Sequence, residues 1–306
     1  MSYMTDLSVQ IAGAAFKNPV MPASGAYDYF DNNADVFPVS ELGAVMVKSV
    51  HRMPRPGNPP PRITEVLGGM INAVGIPSVG IEAFMEKQLP KYDNIGAPVV
   101  LSISGCSVEH YQQTLEIVNN DSRIHAVELN LSCPNVGTGL AFSSDPQLLR
   151  QTVTTARAST KLPLFIKLSP NVTDIRVSAV TCQDCGADAI TLSNTFHAMT
   201  IDIKKHKPTL GNISGGMSGP AIKPLNMYLV WRASEAADIP IIACGGITCW
   251  QDVVEYIMAG ATMVQVGCSN FTKPLCMQEV ITGLDRFMAE NGFCCLADMR
   301  GIAHQK

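Results

Sequence analysis

His125-Ala-Val-Glu-Leu-Asn-Leu-Ser-Cys-Pro-Asn135 is a strongly apolar run that ends in one thiol set between two carboxamides. Its first half reads as a buried strand, and its end carries Asn130, Cys133 and Asn135 to the place where that strand points. A cysteine takes a proton once its surroundings lower its pKa, and an asparagine amide offers a donor and an acceptor to a planar polar ligand. An inert buried thiol is the commoner fate of a lone cysteine, so the rest of the chain decides between the two.

Working outward, the same unit of an apolar run followed by polar residues recurs. Eight core strands are expected at 19–23, 44–49, 98–104, 125–131, 163–168, 187–193, 239–244 and 262–267. Helical spacing of apolar residues lies between them at 108–118, 146–158, 177–185, 224–236, 250–259 and 274–290, with Asp145-Pro146 and Thr248 as plausible helix starts. Alternation of this kind is the pattern of a parallel α/β fold, and eight strands predict a closed TIM (β/α)8 barrel. Two segments interrupt it, the proline-rich 52–61 and the 201–220 stretch rich in Gly, Lys and Ser, and both read as lids or binding loops.

Composition agrees with a well-buried body: 46% of the 306 residues are hydrophobic and only 16% are charged. One large domain spanning residues 1–306 is expected. A net charge of -4 and a pI near 5.9 leave no basic field for nucleic acid. The start of the chain lacks the pattern of a signal peptide, and no segment has the length of a membrane span, so a cytoplasmic location is expected. The ten cysteines then read as reduced thiols. Cys182-Gln-Asp-Cys185 sits late in a helix without two further ligands at matching spacing, Cys294-Cys295 is no better placed, and no metal site is expected.

In a barrel of this type the active site lies at the carboxyl ends of the strands, so the polar residues after each run form one constellation. They are Ser24-Gly25, Lys48-Ser49, Asn130 with Cys133 and Asn135, Lys167, Asn194-Thr195, Gly245-Gly246 and Gly267-Cys268. The glycines after the last two strands occupy the usual barrel seat for a phosphate. Lys48 and Lys167 fall inside otherwise apolar strands, where an ammonium either snorkels out from the strand end or needs a negative partner such as a reduced flavin ring or a substrate carboxylate. Gly69-Met-Ile-Asn-Ala-Val-Gly-Ile76, taken alone, reads as a glycine-rich loop whose backbone N–H groups could hold a carboxylate beside Asn72.

Six runs carry a family resemblance: Lys17-Asn-Pro-Val-Met-Pro-Ala-Ser-Gly25, Gly69-Met-Ile-Asn-Ala-Val-Gly75, Glu128-Leu-Asn-Leu-Ser-Cys-Pro-Asn-Val136, Lys167-Leu-Ser-Pro-Asn-Val-Thr-Asp174, Ser214-Gly-Gly-Met-Ser-Gly-Pro-Ala-Ile-Lys-Pro224 and Gly245-Gly-Ile247. Over essentially its whole length the chain resembles the dihydroorotate dehydrogenases, flavin barrels of pyrimidine synthesis. The resemblance implies oxidation of (S)-dihydroorotate to orotate, with FMN held by Ala23, Ser24, Gly25, Lys48, Ser49, Asn130, Lys167, Ser218, Gly219, Gly245, Gly246, Gly267 and Cys268. It implies substrate held by Lys48, Asn72, Val74, Gly75, Ile76, Asn130, Asn135, Asn194 and Thr195, and Cys133 as the base that takes the C5 proton. Cysteine at this position speaks against the membrane-bound quinone class, which has serine there.

Among the soluble classes, the 167–174 and 215–224 runs look like the NAD-linked class, whose catalytic chain works with a second subunit carrying FAD and a 2Fe-2S cluster. The 101–105 and 261–266 runs look more like the homodimeric fumarate-using class, so the electron acceptor stays open; a dihydropyrimidine dehydrogenase-like reaction is a further alternative. A homodimer is implied by the family. Three departures stand out: Ser78 where the family usually has an asparagine near the substrate, Cys268 where a threonine or serine commonly meets the flavin phosphate, and a slightly short loop at 136–142.

Overall fold

The computed structural model describes residues 5–30, 35–131 and 142–305. Eight short strands form one all-parallel sheet: β1 (Val20–Pro22), β2 (Val45–His51), β3 (Val99–Ser104), β4 (Ala126–Asn130), β5 (Leu164–Lys167), β6 (Ala189–Leu192), β7 (Ile241–Cys244) and β8 (Met263–Val266). Seven lie within an expected run, and β2 continues two residues past its expected end at Ser49, to His51. Strands buried on both faces read as unbroken apolar stretches, which is why the sequence shows them as runs rather than as alternation. The hydrogen-bonded order is β1-β8-β7-β6-β5-β4-β3-β2. The seam between β1 and β2 is stitched by single bonds: Gly43 N–H to Val20 O at 2.9 Å, Tyr29 O–H to Met46 O at 2.9 Å and Ser24 Oγ–H to Val47 O at 3.2 Å. The sheet is a (β/α)8 barrel, nearly closed by its ladders and completed by these contacts.

Among the described residues, six helices of nine residues or more cover the sheet: α1 (Val108–Val118), α2 (Pro146–Ser159), α3 (Ile175–Asp184), α4 (Lys223–Ser234), α5 (Trp250–Met258) and α6 (Cys276–Asn291). Side chains set their starts. Ser107 Oγ accepts from His110 N–H, Asp145 accepts from the N–H groups of Gln147 and Leu148, and Asp174 accepts from Arg176 N–H, which starts α3 two residues before the apolar spacing suggests. For α5 the cap is Cys249, not Thr248. The Asp252 carboxylate accepts from the N–H groups of both residues, at 2.7 and 3.1 Å, and so pins the turn that follows β7.

The connections from β2 to β3 and from β6 to α4, of which the expected lid segments 52–61 and 201–220 are only part, build a second layer over the carboxyl ends of the strands. Ile63–Val66, Gly69–Asn72, Gly215–Ser218 and Phe196–Ala198 pair into a four-stranded antiparallel sheet. The expected loop at 69–76 is therefore half strand. Close approach explains its glycines: a Cβ on Gly216 would stand 1.8 Å from Thr195 Oγ1, and one on Gly69 would stand 2.0 Å from Ser218 O. Among the described residues no helix is long and apolar enough to cross a membrane.

Candidate active site

Between the barrel and its antiparallel roof lies a cavity of about 320 Å³. The end of β1 gives it Ala23, Ser24 and Gly25, and β2 gives it Lys48 and Ser49. A one-residue bulge in β2, between the Val47–Leu101 and Val50–Ile103 pairs, spans these two residues and re-aims their side chains. The roof contributes Asn72, Val74, Gly75, Ile76, Ser218 and Gly219. The remaining strand ends contribute Asn130, Lys167, Asn194 with Thr195, Gly245 with Gly246, and Gly267 with Cys268. The expected constellation is thus gathered around one space, except Cys133 and Asn135, which lie outside the described residues together with positions 136–141 of the short loop.

One wall is a continuous polar chain. Ser49 N–H donates to Ser24 Oγ at 2.9 Å, Ser49 Oγ meets Ser102 Oγ at 2.8 Å, and Asn130 Nδ2 donates to Ser49 Oγ at 3.4 Å. Asn194 Nδ2 then donates to Asn130 Oδ1 at 3.2 Å, while Asn194 Oδ1 accepts from Thr195 N–H at 2.8 Å. These bonds fix which edge each amide turns to a ligand.

The two lysines are not alike. Lys48 is exposed to the cavity, with its methylenes lying along Gly25. Partial burial of its amine and the Arg62 guanidinium hold the ammonium below its usual value. Lys167 is only 5% exposed and donates to Gln265 Oε1 at 2.8 Å and to Cys244 Sγ at 3.5 Å. Burial would push its amine down, but the Cys244 sulfur and the Glu128 carboxylate outweigh burial and hold it above the ordinary lysine value. Glu128 is fully buried, accepting from Thr191 Oγ1 at 2.8 Å and from Gln265 Nε2 at 2.5 Å. Because β4 and β8 are not neighbours, the Glu128–Gln265 bond crosses the barrel interior, and the negative partner expected for Lys167 is already present in the chain. Lys48 points into the cavity that would hold its partner.

At the opposite corner the glycines after β7 and β8 form a backbone cradle. Gly245 and Gly246 have φ of 149° and 69°, and a Cβ on Gly246 would stand 2.5 Å from Lys223 Cβ. Residues that sequence reasoning did not single out hold this cradle. Tyr256 O–H donates to Gly245 O at 2.7 Å and accepts from Asn226 Nδ2 at 3.1 Å, while Asn226 Oδ1 accepts from Ser193 Oγ at 2.6 Å. For Asn226 and Tyr256 the only sequence signal is a polar side chain on the apolar face of a helix, and Ser193 simply ends the run of β6. Burial raises the pKa of the Cys268 thiol and keeps it neutral, and the thiol bonds with Ser218. Ala26, Ile222 and Phe271 add apolar surface. A backbone cradle at one corner, apolar surface and a buried ammonium suit a planar phosphorylated ligand.

Ser78 does not line this cavity. Its Oγ accepts from His51 N–H at 3.0 Å and from Gly80 N–H at 3.1 Å, so it latches a loop rather than facing a ring. Cys182 and Cys185 are packed in the core, and burial raises the Cys182 pKa.

The sequence matches the model of the family described as dihydroorotate dehydrogenase over residues 6–288. The chain belongs to the dihydroorotate dehydrogenase family. It is 43% identical to the "Dihydroorotate dehydrogenase B (NAD(+)), catalytic subunit" of Pelobacter propionicus, across 97% of this chain and 98% of that one. It is 42% identical to the protein of that name from Geobacter sulfurreducens, across 97% of each. A crystal structure of the Eimeria tenella DHODH with ferulenol superposes with a TM-score of 0.80 at 26% identity, covering 98% of this chain and 89% of that one. The resemblance read from the six motifs is borne out, as is its leaning toward the NAD-linked catalytic subunits among the dihydroorotate dehydrogenases.

Proposed function

We propose that this chain oxidises (S)-dihydroorotate to orotate in pyrimidine biosynthesis, as the catalytic subunit of an NAD-linked dihydroorotate dehydrogenase. The observation that carries the reading is the convergence of Lys48, Asn72, Asn130, Asn194 and Thr195 on one cavity that also holds a glycine cradle and the Lys167 ammonium. FMN fits this residue set: the backbone of Gly245, Gly246, Gly267 and Cys268, with Ser218 and Gly219, would take the phosphate end. Ala23, Ser24, Gly25, Ser49 and Lys167 would hold the ring end. When bound, FMN supplies the two-electron acceptor for the hydride that leaves C6 of the substrate.

The asparagine wall would read the ring amides of dihydroorotate, and Lys48 with the Val74-Gly75-Ile76 backbone would hold its carboxylate. Cys133 is the proposed base, taking the proton from C5; proton and hydride together account for the two hydrogens lost. The nine described cysteines, all without disulfides, fit a reducing cytoplasm. The words "NAD(+)" and "catalytic subunit" in the relatives' names support an assembly in which a second subunit passes the electrons to NAD. A homodimer of this chain, and FAD with a 2Fe-2S cluster on the second subunit, complete the proposal on the family resemblance alone.

The test is the visible spectrum of the purified chain under anaerobic conditions. Dihydroorotate should bleach the flavin, and neither NAD nor fumarate should restore it until a partner subunit is added. Recovery with fumarate alone would favour the self-sufficient class. A flavin-loaded chain that dihydroorotate leaves oxidised would overturn the substrate, and a Cys133→Ala protein bleaching at the wild-type rate would overturn the base.

A further inference from the structure

Outside the cavity, the end of β2, the turn after β3 and the first turn of α1 bring together His51, Cys106 and His110. One ring nitrogen of each histidine and the Cys106 sulfur lie within 4.8 Å of one another. His51 Nε2 is 3.3 Å from Cys106 Sγ, and the two imidazoles meet edge to face with centroids 5.4 Å apart. From zinc–sulfur and zinc–nitrogen bond lengths, the S···N edge of a tetrahedral site is about 3.5 Å, so one edge is already formed. His51 is 3% exposed while Cys106 and His110 are half-buried, which gives a rigid base and an approach from solvent.

We propose that His51, Cys106 and His110 form a binding site for a soft divalent cation, with Zn²⁺ the fitting ion and water its fourth ligand. Two imidazoles and a thiolate are the donor set such an ion prefers over the hard oxygen sites of Mg²⁺ or Ca²⁺. The second shell is built. Met53 N–H and Met53 C=O both lie 3.2 Å from His51 Nδ1, so the ring can place its proton on Nδ1 against the carbonyl and turn a lone pair on Nε2 toward the sulfur. Cys106 gives its thiol proton to solvent as the metal–sulfur bond forms. In the metal-free form Arg55 Nη1 donates to Cys106 Sγ at 3.3 Å, so the guanidinium competes with the ion.

The site has a route to the cavity wall. Arg55 pairs through its backbone with Ser78, and Ser78 Oγ accepts from His51 N–H. Asn58, on the same connection, donates from its backbone N–H to Val74 O at 3.1 Å and from Nδ2 to Ala73 O at 3.0 Å. An ion joining β2 to α1 therefore stiffens the segment that carries Val74, Gly75 and Ile76, and its role is structural or regulatory rather than catalytic.

Equilibrium dialysis of the full chain against Zn²⁺ tests this. One ion per chain at micromolar concentration is expected, with at least tenfold weaker binding in Cys106→Ser and in His110→Ala and several-fold tighter binding in Arg55→Gln. Substituted Co²⁺ should show a thiolate-to-metal charge-transfer band that Cys106→Ser abolishes. In unmodified protein, Zn²⁺ should protect Cys106 from iodoacetamide, read by peptide mass spectrometry, which keeps the test independent of whether a variant folds. No stoichiometric binding, binding that survives both ligand substitutions, or equal alkylation of Cys106 with and without Zn²⁺ would each overturn the site.

Discussion

Gln265 donates through Nε2 to Glu128 Oε2 at 2.5 Å, a bond that spans the barrel interior from β8 to β4. The other end of the same amide accepts from the Lys167 ammonium at 2.8 Å. A single neutral side chain thus relays a buried positive charge to a buried negative one. Removing one partner of such an arrangement leaves an uncompensated charge, which costs about 3–5 kcal/mol. Glu128→Gln should destabilise the cofactor-free chain by an amount of that order, measured as a fall in urea midpoint without change in slope. An unchanged midpoint would show that Lys167 needs no internal counter-charge.

The phosphate corner makes a sharper demand. At Gly246 the backbone is left-handed, with φ of 69°, and a Cβ would stand 2.5 Å from Lys223 Cβ. Strain of about 1–3 kcal/mol at such a position corresponds to one to two decades in an equilibrium. Gly246→Ala should weaken FMN binding by about tenfold or more, read from quenching of flavin fluorescence on titration. Gly13, also left-handed with φ of 86° but with nothing within 4 Å of an added Cβ, is the control for backbone strain away from the cradle: Gly13→Ala should leave FMN affinity unchanged.

Why the barrel was legible and its roof was not follows from how each is buried. The eight strands are buried on both faces, so each shows as a run of Val, Ile, Leu and Ala, and the polar residues at the run ends are the cavity wall. The roof strands Gly69–Asn72 and Gly215–Ser218 carry glycine because Thr195 and Ser218 press against them, and glycine conceals strand character from propensity. Contacts between distant residues were hidden for another reason. Lys167 and Gln265 are 98 positions apart, and His51 and Cys106 are 55 apart, so no spacing rule connects them. The six motifs carried the family, but Glu128 stood inside one of them without a visible role.

Lys48 invites a pH experiment. Burial of its amine and the Arg62 guanidinium both favour the neutral form, so its pKa lies below the ordinary lysine value of 10.5. The protonated amine, present below that pKa, is the form that binds a carboxylate. The KM for dihydroorotate should therefore be flat near neutrality and rise as pH climbs through a value under 10.5. Lys48→Met should remove the rise and lower kcat/KM by about a hundredfold, the equivalent of one charged hydrogen bond of about 3 kcal/mol. A KM that still climbs in Lys48→Met would assign the titration to another group.

Ser78 gives the last prediction, because position and chemistry pull in different directions there. A serine where an asparagine is usual suggests altered recognition of the substrate ring, yet the side chain faces the His51 and Gly80 N–H groups and not the cavity. Its loss leaves two part-buried donors without their acceptor, at a cost of about 1–3 kcal/mol. Ser78→Ala should therefore lower Tm by several degrees and raise the KM for dihydroorotate indirectly, because the Arg55–Ser78 pairing anchors the segment that carries Val74, Gly75 and Ile76. The selectivity between dihydroorotate and dihydrouracil, taken as a ratio of kcat/KM values, should stay the same, since no contact to the ring is removed. If that ratio shifts tenfold while Tm holds, Ser78 touches the substrate in the working enzyme and the latch is not its principal role.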